Sequence, residues 1–476
     1  MMKQTHRADP SFKYKLAGKY GETLKYCYQC GTCTVACPIS RFIGIYRPNK
    51  ILELVKLGIR SMPQSSAFLF CSACTLCTKG CPQGVRVHEV MQALKDLIRG
   101  DANVNAFLAK DFDESLAALA EGMPFPVAYS WICLRPSEED TIILEALDRA
   151  LRLPCPGIDA LPQAIGKRAA VIGSGPAGLT SAWVLARKGV SVTVYENLPE
   201  AGGMMKTGIP SHRLPKHIVD AEIAKIRILG VDIRTNTSVD RAFFNALLES
   251  DDVIFVASGA FQNRELRTHG EELPGVVPAL DFLREYNLTG SAQVGKNVVV
   301  IGGGNVAMDA AGAALRCGAK SVKLFCLEDH QSMPAHAWEI EDAAVDGVEI
   351  NPGWGVKAIL EDDGKAAGVE FIQCVTVFDK DKRFNPVFNE KRTQIAEADM
   401  IITAIGQAPD LRFLNEDVGK FRGAVLADPY TLETNLPNVF AGGDAAAGAS
   451  LIEAILTGKT AAHSMLRYLS ERRAIA

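Results

Sequence analysis

Eight of the thirteen cysteines stand in two runs of identical spacing. The first is Cys27, Cys30, Cys33 and Cys37, followed by Pro38; the second is Cys71, Cys74, Cys77 and Cys81, followed by Pro82. Each reads C-x2-C-x2-C-x3-C-P, the spacing that wraps four thiolates around a cubane [4Fe-4S] cluster. Where two such runs share a chain, the fourth cysteine of each ligates the other cluster. This rule assigns Cys27, Cys30, Cys33 and Cys81 to cluster 1, and Cys71, Cys74, Cys77 and Cys37 to cluster 2. The proline after each last cysteine stops the local helix and turns the chain away. A single run would also suit zinc, but two of identical spacing favour a pair of [4Fe-4S] clusters. Cys133, Cys155, Cys317, Cys326 and Cys374 form no C-x-x-C pair and read as ordinary thiols.

Two glycine loops follow. Gly173-Ser174-Gly175-Pro176-Ala177-Gly178 precedes Glu196 by 18 residues, and Gly302-Gly303-Gly304-Asn305-Val306-Ala307 precedes Glu328 by 21. Alone, such a loop is weak evidence. Here each lies between a strand and a helix, the context a dinucleotide site requires. The glycines let backbone approach a pyrophosphate, the helix N-terminus supplies N–H donors, and the acid accepts ribose hydroxyls. A carboxylate at Glu328 suits a free 2′-hydroxyl and repels a 2′-phosphate. Its surroundings, Cys326-Leu327-Glu328-Asp329-His330, hold two acids and no Arg or Lys. The second loop therefore favours NADH over NADPH.

Elements must hold these groups in place. Pro48–Gly58 and Val87–Ile98 carry apolar residues at helical spacing, so the cysteine runs predict a small helical domain with two clusters. Residues 101–165 alternate helical patches with prolines and read as a packed connector, not a Gly/Ser tether. Ala169–Ile172 predicts a buried strand, followed by a helix to Ala186 and a strand Ser191–Glu196. Asn297–Ile301, a helix to Arg316 and a strand Ser321–Leu327 repeat the plan. The expected fold is α/β, with two Rossmann-like domains preceded by an α-helical ferredoxin-type domain. The expected boundaries are 1–110 for the cluster domain, 111–165 for the connector, 166–292 and 396–476 for the two parts of the first nucleotide domain, and 293–395 for the second.

The composition is that of a globular protein, 48% hydrophobic and 22% charged. The net charge of −4 hides an asymmetry, because residues 1–100 carry 15 Lys/Arg against 5 Asp/Glu. That excess either compensates anionic clusters or forms a docking face for an acidic redox partner. The basic residues are scattered and lack interleaved aromatics, so nucleic acid is not an expected partner. No run of 18 apolar residues appears, so no membrane span is expected. Met1–Lys25 lacks the apolar core of a signal peptide, which together with the cysteine usage suggests a cytoplasmic protein.

From about residue 166 to 470 the chain resembles the small subunit of glutamate synthase and its relatives, including the flavin arm of dihydropyrimidine dehydrogenase. The resemblance rests on Gly202-Gly203-Met204-Met205, Gly208 to Lys216, Ala257-Ser258-Gly259-Ala260, Met333-Pro334-Ala335, Thr403 to Asp410, and Val439 to Asp444. It implies two domains of the pyridine nucleotide-disulfide reductase type, with FAD on the first loop. Residues implied to touch FAD are Gly173 to Gly178, Glu196, Gly203, Arg213, Leu214, Val239, Gly443, Asp444, Ser450 and Leu451. The second loop, with Gly302, Gly304 to Ala307, Glu328 and Gly406, is implied to take NAD(H), or NADP(H) as its relatives do. One departure stands out: Leu327-Glu328 occupy the place of an Arg-Arg pair that commonly precedes Met-Pro-Ala. The cysteine-rich part resembles a different family, the helical two-cluster ferredoxin component of heterodisulfide reductase, through Cys27 to Pro38 and Cys81 to Val85.

Only a flavin bridges two-electron hydride transfer and one-electron clusters. The expected function is an iron–sulfur flavoprotein subunit passing electrons between NADH, FAD, two [4Fe-4S] clusters and a redox partner. That partner would be a heterodisulfide reductase-like protein, a ferredoxin or another acceptor within a hetero-oligomer. The alternatives are an electron-bifurcating NAD(P)H oxidoreductase, a glutamate synthase-type subunit feeding an amidotransferase, and a relay with silent nucleotide sites. Hydride transfer requires no acid–base residue, so none is nominated as catalytic. Lys216 and Glu222, polar and close to the flavin motif, read as salt-bridged surface residues.

Overall fold

The computed structural model describes residues 22–42, 46–58, 66–99, 102–154, 162–446, 448 and 450–473. Cys155 and residues 1–21, on which part of the reading of a polar amino terminus rests, lie outside them.

The two cysteine loops repeat one backbone shape. Left-handed residues occupy equivalent places, Gln29 (φ 64°) and Gly31 (φ 80°) in the first and Ala73 (φ 54°) and Thr75 (φ 63°) in the second. A short helix follows each, Thr32–Ala36 and Leu76–Lys79, and both carry the third cysteine. Thr75 accepts a conformation that costs a non-glycine residue about 1–2 kcal/mol.

The helix Val87–Arg99 leads into Ala102–Gly122, Pro126–Leu134 and Thr141–Arg152. Ala102–Gly122 runs through the expected boundary at 110/111. Phe112 stacks on Phe70 at 5.5 Å between ring centroids, and Leu116, Leu119 and Phe125 are buried in the same core. These segments belong to the cluster domain because it needs their apolar faces to close its core.

The first nucleotide domain is a five-stranded parallel sheet in the order Val439–Ala441, Val253–Val256, Arg168–Ile172, Ser191–Tyr195 and Asp232–Arg234. The second repeats this plan with Val276–Pro278, Met400–Thr403, Asn297–Ile301, Ser321–Cys326 and Glu349–Pro352. Two of its strands lie outside the expected 293–395 window, one on each side. Met400–Thr403 pairs with Asn297–Ile301, and Val276–Pro278 pairs with Met400–Thr403. The expected boundaries place both in the first domain, because each strand is too short to show which neighbour it joins. An antiparallel meander, Trp354–Asp362, Lys365–Phe378 and Phe384–Glu397, is inserted between Glu349–Pro352 and Met400–Thr403.

One hydrophobic core runs from Tyr46, Phe68 and Phe70 of the cluster domain to Val171, Leu185 and Val194 of the first nucleotide domain. The second nucleotide domain closes its own cores around Val300, Ala311 and Leu324 and around Phe325, Val369 and Phe371. The Rossmann helix Pro176–Ala186 is buried almost all round, beneath the C-terminal helix Leu451–Arg473.

Candidate redox site

The structure groups the cysteines across the two runs. Cys27, Cys30 and Cys33 line one cavity together with Cys81 from the other run, beside Tyr28, Asn49, Leu52 and Val87. In the second group, burial pushes the Cys37 thiol up to about 11, with Cys71 adding to the shift. Burial likewise raises Cys77, and the charges of Cys71, Cys37 and Cys74 raise it further. Such thiols resist ionisation by themselves, whereas a bound metal centre supplies the positive charge that holds them as thiolates. Eight thiols in two groups of four are a donor set that fits two iron–sulfur clusters. Among the described residues no group of three or more His, Cys, Asp or Glu side chains is arranged to hold a metal ion. Lys95, only 6% exposed, places its ammonium on the carbonyls of Cys71 (2.6 Å) and Cys133 (2.9 Å). That puts a buried cation next to the second group.

The first glycine loop follows from close packing. Gly173 has φ +103°, and a Cβ there would lie 2.4 Å from the Ala257 carbonyl oxygen. A Cβ at Gly178 would lie 2.0 Å from the Gly173 carbonyl oxygen, so the helix sits tight against the turn. Gly175, by contrast, faces open space with nothing within 4 Å, the place a pyrophosphate would take. Gly203 seats on Gly175, and Gly443 on Ala177. Glu196, 5% exposed, accepts from the Ser174 N–H (3.0 Å), the Ser174 hydroxyl (2.5 Å) and the Leu198 N–H (2.9 Å). Burial and the nearby Glu453 raise Asp444 to about 6. Ser450 caps the C-terminal helix, its hydroxyl donating to Glu453 at 2.8 Å, with Leu451 as the first helical residue. Beside Gly173, the buried Ser258 hydroxyl has no hydrogen-bond partner among the described residues. This open cradle with an unmet polar atom fits FAD. Val239 is half-buried at the edge of the same domain's core.

The second loop has the same geometry. A Cβ at Gly302 (φ +140°) would lie 2.3 Å from the Ala404 carbonyl oxygen, and Gly304 faces open space. Glu328 reaches back over the loop, its Oε2 3.0 Å from the Cβ position of Gly303. Met333-Pro334-Ala335 closes against the loop: Ala335 N–H donates to Gly303 (3.0 Å) and His336 N–H to Asn305 Oδ1 (3.1 Å). Val306 is half-buried and Ala307 fully buried at the start of the helix Asn305–Arg316. Gly406 (φ 108°) accepts from the Arg264 N–H at 3.1 Å, just beyond the strand Met400–Thr403. The residues present fit a nicotinamide nucleotide.

Two residues that the resemblance places near the flavin, Arg213 and Leu214, are held by the second nucleotide domain and by the core, respectively. The Arg213 guanidinium pairs with Asp309 on Asn305–Arg316 and with Glu339 (2.6 Å) on Ala337–Val345, both in the second nucleotide domain. Leu214 is fully buried in the core. The Trp338 ring lies between Arg213 (5.2 Å) and Arg135 (4.0 Å), and Arg135 also pairs with Asp342 at 2.9 Å. This junction ties the second nucleotide domain to the rest of the molecule through polar groups.

Lys216 and Glu222 are not surface residues. Glu222 is fully buried and accepts from the Val127 (2.8 Å) and Ala128 (3.0 Å) N–H groups, at the start of the helix Pro126–Leu134. Burial raises its carboxyl to about 8. Lys216 donates to the carbonyls of Met205 (3.0 Å) and Ile209, and burial lowers it to about 7. A carboxylate that satisfies backbone donors 95 residues away leaves no signal in local sequence. The Ser450-x-x-Glu453 capping box does leave one, a short-range pattern that marks the start of the C-terminal helix.

Residues 167–464 match the pyridine nucleotide-disulphide oxidoreductase family. The chain belongs to that family. Residues 23–85 match a 4Fe-4S dicluster domain, so the redox core carries an iron–sulfur module at its amino-terminal side. Among curated relatives, the β subunit of the NADP(+)-dependent formate dehydrogenase of Moorella thermoacetica is 35% identical over 440 residues, 83% of this chain and 60% of that protein. The NADPH-Fe(3+) oxidoreductase β subunit of Geobacter sulfurreducens is 30% identical over 447 residues, 84% and 64% of the two chains. This chain thus spans about three fifths of the length of these two relatives. A putative glutamate synthase [NADPH] small chain of Cereibacter sphaeroides is 35% identical over 323 residues, 64% of this chain and 78% of that protein. Among solved structures, Mycobacterium tuberculosis FprA in complex with NADPH superposes with a TM-score of 0.54 at 18% identity, covering 65% of this chain and 85% of FprA. That likeness concerns the fold alone. The chain is an oxidoreductase of the iron–sulfur flavoprotein type. Among the described residues, no helix is long and apolar enough to cross a membrane.

Proposed function

We propose that this chain is the NADH-oxidising electron-input subunit of a hetero-oligomeric complex, linking an FAD cradle to two [4Fe-4S] clusters and a redox partner protein. One observation carries the reading: the first glycine cradle and both cysteine groups are built around a single continuous hydrophobic core. FAD, when bound, supplies the exchange between a hydride pair and single electrons. The protein's own residues hold the geometry. Gly175 leaves room for the pyrophosphate, Glu196 lies beside the loop for the ribose, and the Arg213–Asp309–Glu339 junction sets one nucleotide loop against the other. The crossed cysteine sets, Cys27, Cys30, Cys33, Cys81 and Cys71, Cys74, Cys77, Cys37, are the proposed cluster ligands. The named relatives are subunits, which supports a hetero-oligomer.

The choice of NADH rests on Glu328. The relatives' names specify NADP or NADPH, but here a carboxylate leans over the second loop where a 2′-phosphate would need a guanidinium. Anaerobic addition of NADH should bleach the flavin absorbance and then the broad iron–sulfur absorbance. Absence of any bleaching by either nucleotide overturns the electron-input role. A higher kcat/KM for NADPH overturns the NADH assignment alone.

A further inference from the structure

We propose that the Cys71, Cys74, Cys77, Cys37 site is the flavin-side station, and that the Cys27, Cys30, Cys33, Cys81 site is the outlet. The outlet opens through a surface of Tyr26, Tyr28 and Leu57, set among Lys25, Lys56 and Arg86, which docks an acidic redox protein. This rests on the electron-input reading above and adds its direction and its exit.

The C-terminal helix decides the order. It starts at the flavin cradle, where Ser450 and Glu453 cap it close to Asp444. It then packs on the helix Pro38–Phe42, which directly follows Cys37. Lys459 fixes the crossing, donating to the Gly122 carbonyl at 2.9 Å and lying 4.9 Å from the Phe42 ring centroid. Glu453 also lies within electrostatic reach of Cys74. The second cysteine group and the flavin cradle therefore share one helix.

The first group faces outward. Cys30 is exposed, and Tyr28 beside it is 59% exposed, with Tyr26 and Leu57 each at 55%. Lys56 donates to the Cys27 carbonyl at 2.7 Å and so holds the end of the helix Pro48–Lys56, with Leu57, beside the loop. The Arg86 N–H donates to Thr23 at 3.0 Å, which places Arg86 next to the turn Glu22–Tyr26. Lys25 lies over the Tyr26 ring at 5.1 Å. Arg86 pairs with Glu89, and Lys50 at the other end of the same helix as Lys56 pairs with Glu53, but the described residues from 22 to 95 still carry eight basic against three acidic side chains. Small apolar contacts inside a charged rim suit brief electron-transfer encounters, in which complementary charge governs the on-rate.

Two measurements test this. First, Cys30→Ala and Cys74→Ala each remove one cluster site. With Cys30→Ala, iron content should halve and NADH should still reduce the surviving cluster. With Cys74→Ala, the surviving cluster should stay oxidised. The reverse pattern overturns the order. Second, binding of an acidic [2Fe-2S] ferredoxin is followed by calorimetry over a salt series. Lys25→Glu/Arg86→Glu should weaken binding at least tenfold and flatten its salt dependence, while NADH bleaches the flavin at the wild-type rate. Equal weakening in Lys391→Glu/Arg392→Glu, on the distant meander, or no binding by the wild type, overturns the docking surface. Failure of NADH to bleach the wild-type flavin overturns the electron-input reading instead, and neither the binding result nor the charge series depends on it.

Discussion

The two nucleotide domains share a strand order, a strand–glycine–helix turn and a first glycine with no room for a side chain, since a Cβ would lie 2.4 Å from the Ala257 carbonyl oxygen at Gly173 and 2.3 Å from the Ala404 carbonyl oxygen at Gly302. They differ in what surrounds that common frame. In the first domain the helix after the loop is sealed on all sides, and Glu196 is locked by three hydrogen bonds. In the second, Glu328 is half-buried and accepts no hydrogen bond through its carboxylate from the described residues. The first shares its apolar core with the cluster domain, whereas the second has its own core and meets its neighbours through Arg213, Arg135 and Trp338. One backbone plan thus serves two purposes. A sealed, shared core suits a nucleotide that stays, and an open loop on a polar junction suits one that exchanges.

The sharpest way to break this comparison is to place the same methyl in both loops. Gly175→Ala and Gly304→Ala both enter open space, so both proteins should fold. The first should be purified with little flavin, and the second with full flavin but a KM for NADH raised at least tenfold. Flavin-to-protein absorbance ratios after gel filtration read the difference, and equal flavin loss in both would erase it. Next in size is Glu222→Leu, which strands two buried N–H groups where the flavin domain meets the cluster domain. Its cost should be about 3 kcal/mol in thermal or denaturant unfolding.

Glu222 also makes that contact pH-sensitive. Its folded pKa of about 8 lies above the ordinary 4.5, so the folded state binds the extra proton between them. Its contribution is complete below about pH 4.5 and is lost as pH rises through about 8. Tm should therefore fall over that window more steeply in the native protein than in Glu222→Gln; parallel profiles would exclude Glu222 as the cause. Glu328→Arg should leave flavin content unchanged and shift the ratio of kcat/KM for NADPH over NADH upward at least tenfold; an unmoved ratio would mean that Glu328 does not read the ribose. The smallest effect is expected from Arg135→Ala. Its exposed ion pair with Asp342 should contribute under about 1 kcal/mol, read as a small fall in the unfolding midpoint of the second nucleotide domain.

Local patterns are readable where the chain obeys short-range rules. The helices ending at Ala186 and Arg316 and the strands 297–301 and 191–195 fall where glycine, apolar run and acid place them. The partition of the second nucleotide domain is not readable, because Met400–Thr403 and Val276–Pro278 are short strands whose partners lie far away in the chain. Arg213 is legible as a motif residue, but not as the partner of Asp309 and Glu339.

By itself, the sequence determined the chemistry available: eight thiols at cluster spacing, two dinucleotide loops, and a carboxylate where a 2′-phosphate site would place arginine. Those follow from residue type and separations of a few positions, which covalent geometry and helix or strand period convert directly into shape. The tertiary structure alone decided what each group does to its distant neighbours. It set Cys81 beside Cys27, ran the C-terminal helix from the flavin cradle to the helix after Cys37, and buried Glu222 beneath backbone donors from another segment. These contacts join residues tens to hundreds of positions apart, and only the packing of whole elements around a common core brings such residues together.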